Sequence, residues 1–355
     1  MKVAIITDSH YGVKNDSLSF ANFQNKFFNE VFLPHIVENK ITHVLHLGDL
    51  MDRRKYVNYM TAKNVEDNFV KPLMDAGVEL HMVAGNHDTY FKNTNEVNSL
   101  RQLYGNSHYD KFHTYWKDTV ELDLDGCKVM LCPWICDENA SRIMKSLAAT
   151  DAQVLMGHFE IAGFEMYRGA VCEHGESVNT FSKFDLVCSG HFHHKSTHGN
   201  INYLGAPYEM TWSDYDDPKG FHIFDTSDRS LEFIANPNRM FHKIVYDDSG
   251  MSIEDIAELD TSLLTNTHIK VIIKNKDNPY IFDLFMDKLL QSGASDIKVI
   301  DDLVFLEGTD DDSLIDEAQD TMAILSKYLD SIEVKGNKKN VEKFINELYQ
   351  EAINL

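Results

Sequence analysis

Residues 79–88 read Glu79-Leu80-His81-Met82-Val83-Ala84-Gly85-Asn86-His87-Asp88. The first five suit a short strand, and the chain then meets a glycine and three polar side chains in a row. Those three offer an amide, an imidazole and a carboxylate, which is rarely how a buried core continues. In open α/β sheets, ligand sites gather where strands end at their C-terminal side. The same grammar recurs four times. Residues 3–7 lead into Asp8-Ser9-His10. Residues 43–47 lead into Gly48-Asp49-Leu50-Met51-Asp52-Arg53. Residues 154–156 lead into Gly157-His158, and residues 186–188 into Gly190-His191-Phe192-His193. A glycine precedes the polar residue in four of the five motifs, so a sharp turn or a close backbone approach is expected there.

Outward from these motifs the chain alternates strands with helical patterns. Residues 128–132 form a further strand candidate. Phe20, Phe23, Phe27, Val31 and Phe32 recur at helical spacing, and a second helical stretch over 60–76 stops at Gly77. Such alternation predicts an α/β domain with buried sheets over residues 1–240. Strands at 201–204, 220–224 and 230–233 follow with short turns. A connecting strand over 239–246 leads to a small α+β unit, expected to span 241–307. It has helices at 252–257 and 280–292 and strands at 269–274 and 297–300.

Gly308-Thr309-Asp310-Asp311-Asp312 then reads as an acidic linker. Two helices are expected after it, over the remainder of 308–355. Leu314, Ile315, Ala318, Met322, Leu325, Leu329 and Ile332 line one face of the first, which Ser313 and Asp316 cap. Val341, Phe344, Ile345, Leu348, Tyr349, Ala352 and Ile353 line the second. So small a pair builds little core alone. It packs back on the body or docks on a partner.

The 355 residues suffice for one large domain and a smaller one, and 43% hydrophobic content is that of a globular protein. No apolar run reaches membrane-spanning length, and the N-terminus turns acidic at Asp8 without a signal-peptide pattern. A soluble, cytoplasmic protein is expected. The five cysteines form no C-x-x-C pair and read as small buried thiols. Net charge is −23, divided as −10 over residues 1–240 and −13 over residues 241–355, where there is no arginine. An acidic surface opposes nucleic-acid binding, which draws on Lys and Arg.

Asp8, His10, Asp49, Asn86, His158, His191 and His193 together offer carboxylate, imidazole and amide donors. Seven ligands exceed what one open catalytic ion takes and suit two ions sharing a carboxylate. Such a pair can clamp a phosphate and generate hydroxide at neutral pH. The donor mixture, without thiolate, favours manganese, iron or zinc over copper and disfavours an all-oxygen calcium site.

These five motifs, in this order, resemble the calcineurin-like metallophosphoesterase superfamily. Gly12-Val13, Gly48-Asp49-Leu50, Cys132-Pro133-Trp134, Gly190-His191-Phe192-His193 and Tyr203-Leu204-Gly205-Ala206-Pro207 with Lys219-Gly220 narrow the likeness. They resemble the nuclease subunit of SbcCD-type recombination and repair complexes, and most of all that of tailed phages. The resemblance implies a four-layer α/β sandwich, a capping domain and C-terminal helices that bind an SMC-like ABC-type ATPase. It further implies that Asp8, His10 and His193 hold one ion and Asn86, His158 and His191 the other. Asp49 would bridge both. His87 would be the catalytic histidine, close to the scissile phosphate without being a ligand. The implied activity is DNA exonuclease and endonuclease cleavage by a homodimer, commonly with manganese, although magnesium is also compatible. Dimerisation is expected through helices at 56–75 and 95–104.

Asp52 stands where the nearest cellular relatives often have His; it either orients His10 or caps a helix. Asp88 is expected to assist His87 if its carboxylate faces the ring. Arg53-Arg54-Lys55 is the densest basic cluster of the first 240 residues and is expected to meet the DNA backbone. His174, His194 and His198 have only loose claims on the site. Trp134 and Trp212 suit packing under a loop better than base stacking. Two other functions compete with the nuclease reading. One is a phosphoesterase for phosphoprotein or small phosphodiesters, which the acidic charge favours. The other is a non-catalytic scaffold, which the complete ligand set opposes.

Overall fold

The computed structural model describes residues 1–301 apart from 106, 108, 168 and 169. Two six-stranded sheets face each other. In the first, the strands run in the order Leu231–Ala235, Gly220–Asp225, Lys2–Ile6, His43–His46, Glu79–Val83 and Phe112–Tyr115. The last four are mutually parallel. In the second the order is Ser196–His198, Ile201–Tyr203, Leu186–Gly190, Val154–His158, Cys127–Cys132 and Val120–Leu124.

Alternation along the strands sorts the cores. Val3, Ile5, Leu45, Leu47 and Val83 point inward and meet Val129, Leu131, Val154, Met156 and Cys188 of the other sheet. Ala4, Ile6, Val44, Leu80 and Met82 point outward and are covered by Phe20, Phe27, Phe28, Phe32, Phe69 and Leu73. On the far side Met130, Leu155 and Val187 pack under Ile143 and Leu147 of the helix Ala140–Ala149. The four layers are therefore helix, sheet, sheet and helix, as expected. Every motif-bearing parallel strand points its C-terminal end the same way within its sheet, which gathers the polar residues at one rim.

The helices differ from the plain pattern in one respect. Helical backbone runs over 18–38, yet a π-helical turn at Phe28–Phe32 precedes Leu33–Glu38. The segment over 59–75 repeats this with a π-helical turn at Glu66–Val70 before Lys71–Asp75. Each wide turn sits directly before a proline, Pro34 or Pro72. Proline removes an amide donor and crowds the carbonyl one turn back, and a wider turn relieves both.

A third, all-parallel sheet joins Phe241–Asp247, His268–Asn275 and Asp296–Asp301. Its core of Tyr246, Ile269, Val271, Phe282, Phe285 and Leu289 is a cluster of its own. The expected linker and helical pair over 308–355, and residues 302–307 of the expected small domain, lie outside the described residues. All five cysteines are free and buried. Among the described residues no helix is long and apolar enough to cross a membrane.

Candidate metal centre

The rim brings all seven expected ligands together. His10 Nε2 lies 3.0 Å from His193 Nε2 and 4.0 Å from Asp8 Oδ1. Asn86 Oδ1 lies 2.9 Å from both His158 Nε2 and His191 Nδ1. Between the two groups stands Asp49, whose Oδ2 is 3.6 Å from His10 Nε2 and 3.3 Å from His158 Nε2. Two ligands of one ion, with bonds near 2.1 Å, are separated by about 3.0–3.4 Å at octahedral or tetrahedral angles. The His10–His193 and Asp49–His158 separations fall in that range and the two to Asn86 lie just below it, while those of His10 to Asp49 and Asp8 are longer.

The backbone is shaped for this purpose. Asp8, His10, Asp49 and His191 all adopt positive φ, at 53°, 41°, 54° and 89°. Such conformations cost non-glycine residues on the order of 1–3 kcal/mol each and persist only where surroundings impose them. Gly48 is itself left-handed at φ 99°, and a Cβ there would sit 2.6 Å from His158 Nδ1. Gly190 has a different reason. A Cβ there would meet Thr7 Oγ1 at 2.0 Å and Asp8 Oδ2 at 2.9 Å. One glycine turns the chain; the other makes room for a ligand.

Supporting contacts fix the side chains. His158 Nδ1 donates to Leu47 O at 2.8 Å, which leaves Nε2 to face inward. His191 N donates to Asp8 Oδ1 at 3.0 Å. Asp52 Oδ1 lies 3.4 Å from His10 Nδ1, consistent with the orienting alternative. Asp88 is not turned toward His87. Its carboxylate accepts the amides of Gly85, Asp49, Leu50 and Met51, and the Ser99 hydroxyl. Five donors leave no reason for it to address the ring. His87 Nδ1 instead pairs with Asp52 O at 2.6 Å, and the ring stands edge-on to His10, 4.8 Å between centroids. His87, His10 and Asp49 also offer atoms within 4.8 Å of one another.

The basic cluster is largely committed elsewhere. Arg53 pairs with Asp16 and Asn15 at 2.9 and 2.7 Å. Arg54 donates to Thr89 O and Phe91 O at 2.9 and 3.1 Å. Lys55 is exposed. His194 turns to Asp217 Oδ1 at 2.9 Å, away from the ligand set. Trp134 packs its ring 5.2 Å from His191 and 5.9 Å from His158, so it walls the centre.

Three supports have no expected role in the sequence reading. Gln24 donates to Ser9 O and His10 O at 3.2 and 3.1 Å, and Tyr208 OH also donates to Ser9 O. Gln24 was visible as an amide on an otherwise aromatic helix face. Lys219 is buried and bonds Asp214, Asp217 and the His193 carbonyl at 2.6, 2.8 and 2.7 Å. Asp214 and Asp217 neighbour Lys219 in sequence, but His193 lies 26 residues away.

The charges are unusual for so dry a place. Asp8 and Asp49 are fully buried, with imidazoles rather than Lys or Arg against them. Burial pulls His10 down, but Asp52, Asp49 and Asp8 outweigh it and raise it to about 9. His158 rises to about 9 in the same way, through Asp49 and Asp8. Burial and the neighbouring His10 lower His193 to about 4, so His10 is the donor of that pair. Buried carboxylates held beside protonated imidazoles, with mixed nitrogen and oxygen donors, fit a pair of divalent ions sharing Asp49.

Similarity to known proteins extends over more than half of the chain. The family model for calcineurin-like phosphoesterases matches residues 1–195. Exonuclease subunit 1 of Enterobacteria phage T4 is 31% identical over 355 residues, covering 99% of this chain and 99% of that protein. Among solved structures, a dimetal phosphatase from Danio rerio is 12% identical, spans 63% of this chain and 91% of its own, with a TM-score of 0.41. An archaeal phosphodiesterase is 14% identical, spans 66% and 100%, with a TM-score of 0.31.

Proposed function

Because the chain belongs to the calcineurin-like phosphoesterase family, we propose that it is a metal-dependent DNA nuclease subunit of a phage-type recombination and repair complex. The observation that carries the DNA assignment is the likeness to the T4 exonuclease subunit along the whole chain rather than over the metal motifs alone. Asp8, His10 and His193 would hold one ion, Asn86, His158 and His191 the other, and Asp49 would bridge them. Bound divalent ions, manganese for preference, supply Lewis-acid charge to the phosphoryl oxygens and a nucleophile at neutral pH. The remaining work belongs to the protein. With Nδ1 engaged by the Asp52 carbonyl, His87 can turn Nε2 toward substrate and give a proton to the leaving alkoxide. Asp52 would then serve two histidines, orienting His10 through its carboxylate and His87 through its carbonyl. Asp88 shapes the loop that carries Asp49.

The exposed apolar residues Tyr59 (93%) and Met60 (67%) support dimerisation through the helices over 56–75, with those over 95–104 alongside. An SMC-like ABC-type ATPase would bind the helices expected over 308–355. With net charge −23 and both arginines of the basic cluster engaged, only Lys55 of that cluster remains a ready phosphate contact. A partner would then supply much of the grip on DNA. The same charge favours the runner-up, a phosphoesterase for phosphoprotein or small phosphodiesters.

The test incubates the full chain with labelled DNA and manganese, with and without the candidate ATPase, beside Asp49→Asn and His87→Ala. Cleavage by the unaltered protein is expected. His87→Ala should lose about 10²–10⁴-fold in rate while still binding metal. Robust hydrolysis of a small phosphodiester with no DNA cleavage in any arm would replace this reading with the runner-up.

A further inference from the structure

The sheet that carries the centre at one end of its strands gathers a second set of imidazoles at the other. His43 and Glu79 open neighbouring parallel strands and stand in register. Two residues further along, His81 stands in register with His113 of the edge strand Phe112–Tyr115. All four positions share the face of Leu45, Leu47 and Val83, where the space between the sheets opens. His43, Glu79 and His81 offer ligand atoms within 4.8 Å of one another. We infer that His43, Glu79 and His81 bind one borderline divalent transition-metal ion of the zinc class, with His113 a neighbour of Glu79 and not a ligand.

The distances carry the inference. His43 Nε2 is 3.5 Å from Glu79 Oε2, His81 Nε2 is 3.5 Å from Oε1, and His113 Nε2 is 3.2 Å from Oε1. A charge-assisted hydrogen bond closes to about 2.7–2.9 Å, and none of these does. A tetrahedral ion with ligands near 2.0–2.1 Å instead separates its donors by about 3.3 Å. The same nitrogen of each ring, Nε2, is the one presented. Two rings have their other nitrogen engaged: His81 Nδ1 pairs with Tyr115 OH at 3.0 Å and His43 Nδ1 with Thr42 Oγ1 at 3.0 Å. Such outer bonds are how histidine ligands are oriented. His81 and His113 stack 4.8 Å apart, and His43 and His81 stack nearly parallel at 6.2 Å, a crowding that disfavours protonated rings. Burial and His113 accordingly push His81 down to about 4, which leaves its lone pair available at neutral pH. Two imidazoles and one carboxylate select zinc-like ions over magnesium or calcium.

The ion would tie the neighbouring parallel strands His43–His46 and Glu79–Val83 together at the end away from the reaction. It is a site separate from the proposed centre, and its test reads a difference that is independent of how many ions that centre holds. Full-length protein stripped by chelator is dialysed against zinc, and bound metal is counted. His43→Gln combined with Glu79→Gln removes the two less buried ligands and should bind one ion per chain fewer than the unaltered protein, with an unchanged circular dichroism spectrum. Equal counts would overturn the proposal. In the unaltered protein, zinc but not magnesium should slow modification of His43 by diethyl pyrocarbonate several-fold. Equal modification with either ion would overturn it even if the double variant failed to fold.

Discussion

Asp49, His10 and His158 pose the sharpest problem at the scale of single residues, because each is buried and each bears charge when no ion is bound. Asp52, Asp49 and Asp8 overcome burial to hold His10 near pKa 9, and Asp49 and Asp8 do the same for His158. Imidazoles ligate only when neutral, so ions must displace those protons. Below about pH 9, zinc or manganese uptake should release close to two protons per chain. Apparent affinity should fall as the pH falls, by roughly tenfold per displaced proton per unit. Calorimetry in buffers of different ionisation enthalpy measures this directly; uptake without proton release would contradict it. Stability of the metal-free protein follows the opposite sign. Both folded-state values are raised, so the contribution is whole below about pH 6.5 and is lost as pH rises through about 9. The ligand types were legible in the sequence because each lies beside a strand end. Which way Asp88 faces is not legible in the sequence, since its amide donors come from a loop some 37–39 residues earlier in the chain as well as from Gly85. Lys219 was unassigned for a similar reason: the His193 carbonyl it bonds lies 26 residues away.

At the scale of elements, the loop after the strand His43–His46 shows how a motif becomes a geometry. Asp49 can hold φ 54° because Asp88 gathers the amides of Asp49, Leu50 and Met51 around one carboxylate. Burial and the charge of Asp49 push Asp88 up to about 6, still low enough for it to accept hydrogen bonds at neutral pH. Asp88→Asn would turn a donor group toward donors. The expected loss is about 2–3 kcal/mol of stability with weakened metal binding, measured by denaturant unfolding and by metal titration. An unchanged midpoint and affinity would show that the loop holds without it. Strands with dense apolar runs were readable, as were the helical stretches over 20–32, 60–76, 252–257 and 280–292, but not the helix Ala140–Ala149. Phe112–Tyr115 and Val120–Leu124 were not, because edge strands are half exposed and mix His, Thr, Glu and Asp with few apolar residues. The π-helical turns escaped as well. A proline marks a helix boundary in sequence, but whether the chain breaks or widens depends on the aromatic packing of Phe28, Phe32 and Phe69 above the sheet.

For the whole molecule, two sheets hold their catalytic-type residues at one rim while the body stays acidic. Strand–helix alternation pointed to an α/β domain with buried sheets and the family resemblance to four layers, whereas the pairing of two sheets across a shared core needs the side-chain directions that only the fold supplies. We propose that this rim holds two ions bridged by Asp49, with His87 beside them and not among the ligands. The most direct measurement is anomalous diffraction from crystals of the full chain grown with manganese. Two peaks are expected, one among Asp8, His10 and His193 and one among Asn86, His158 and His191, both within bonding distance of Asp49. A single peak, or a manganese ion coordinated by His87, would contradict the account.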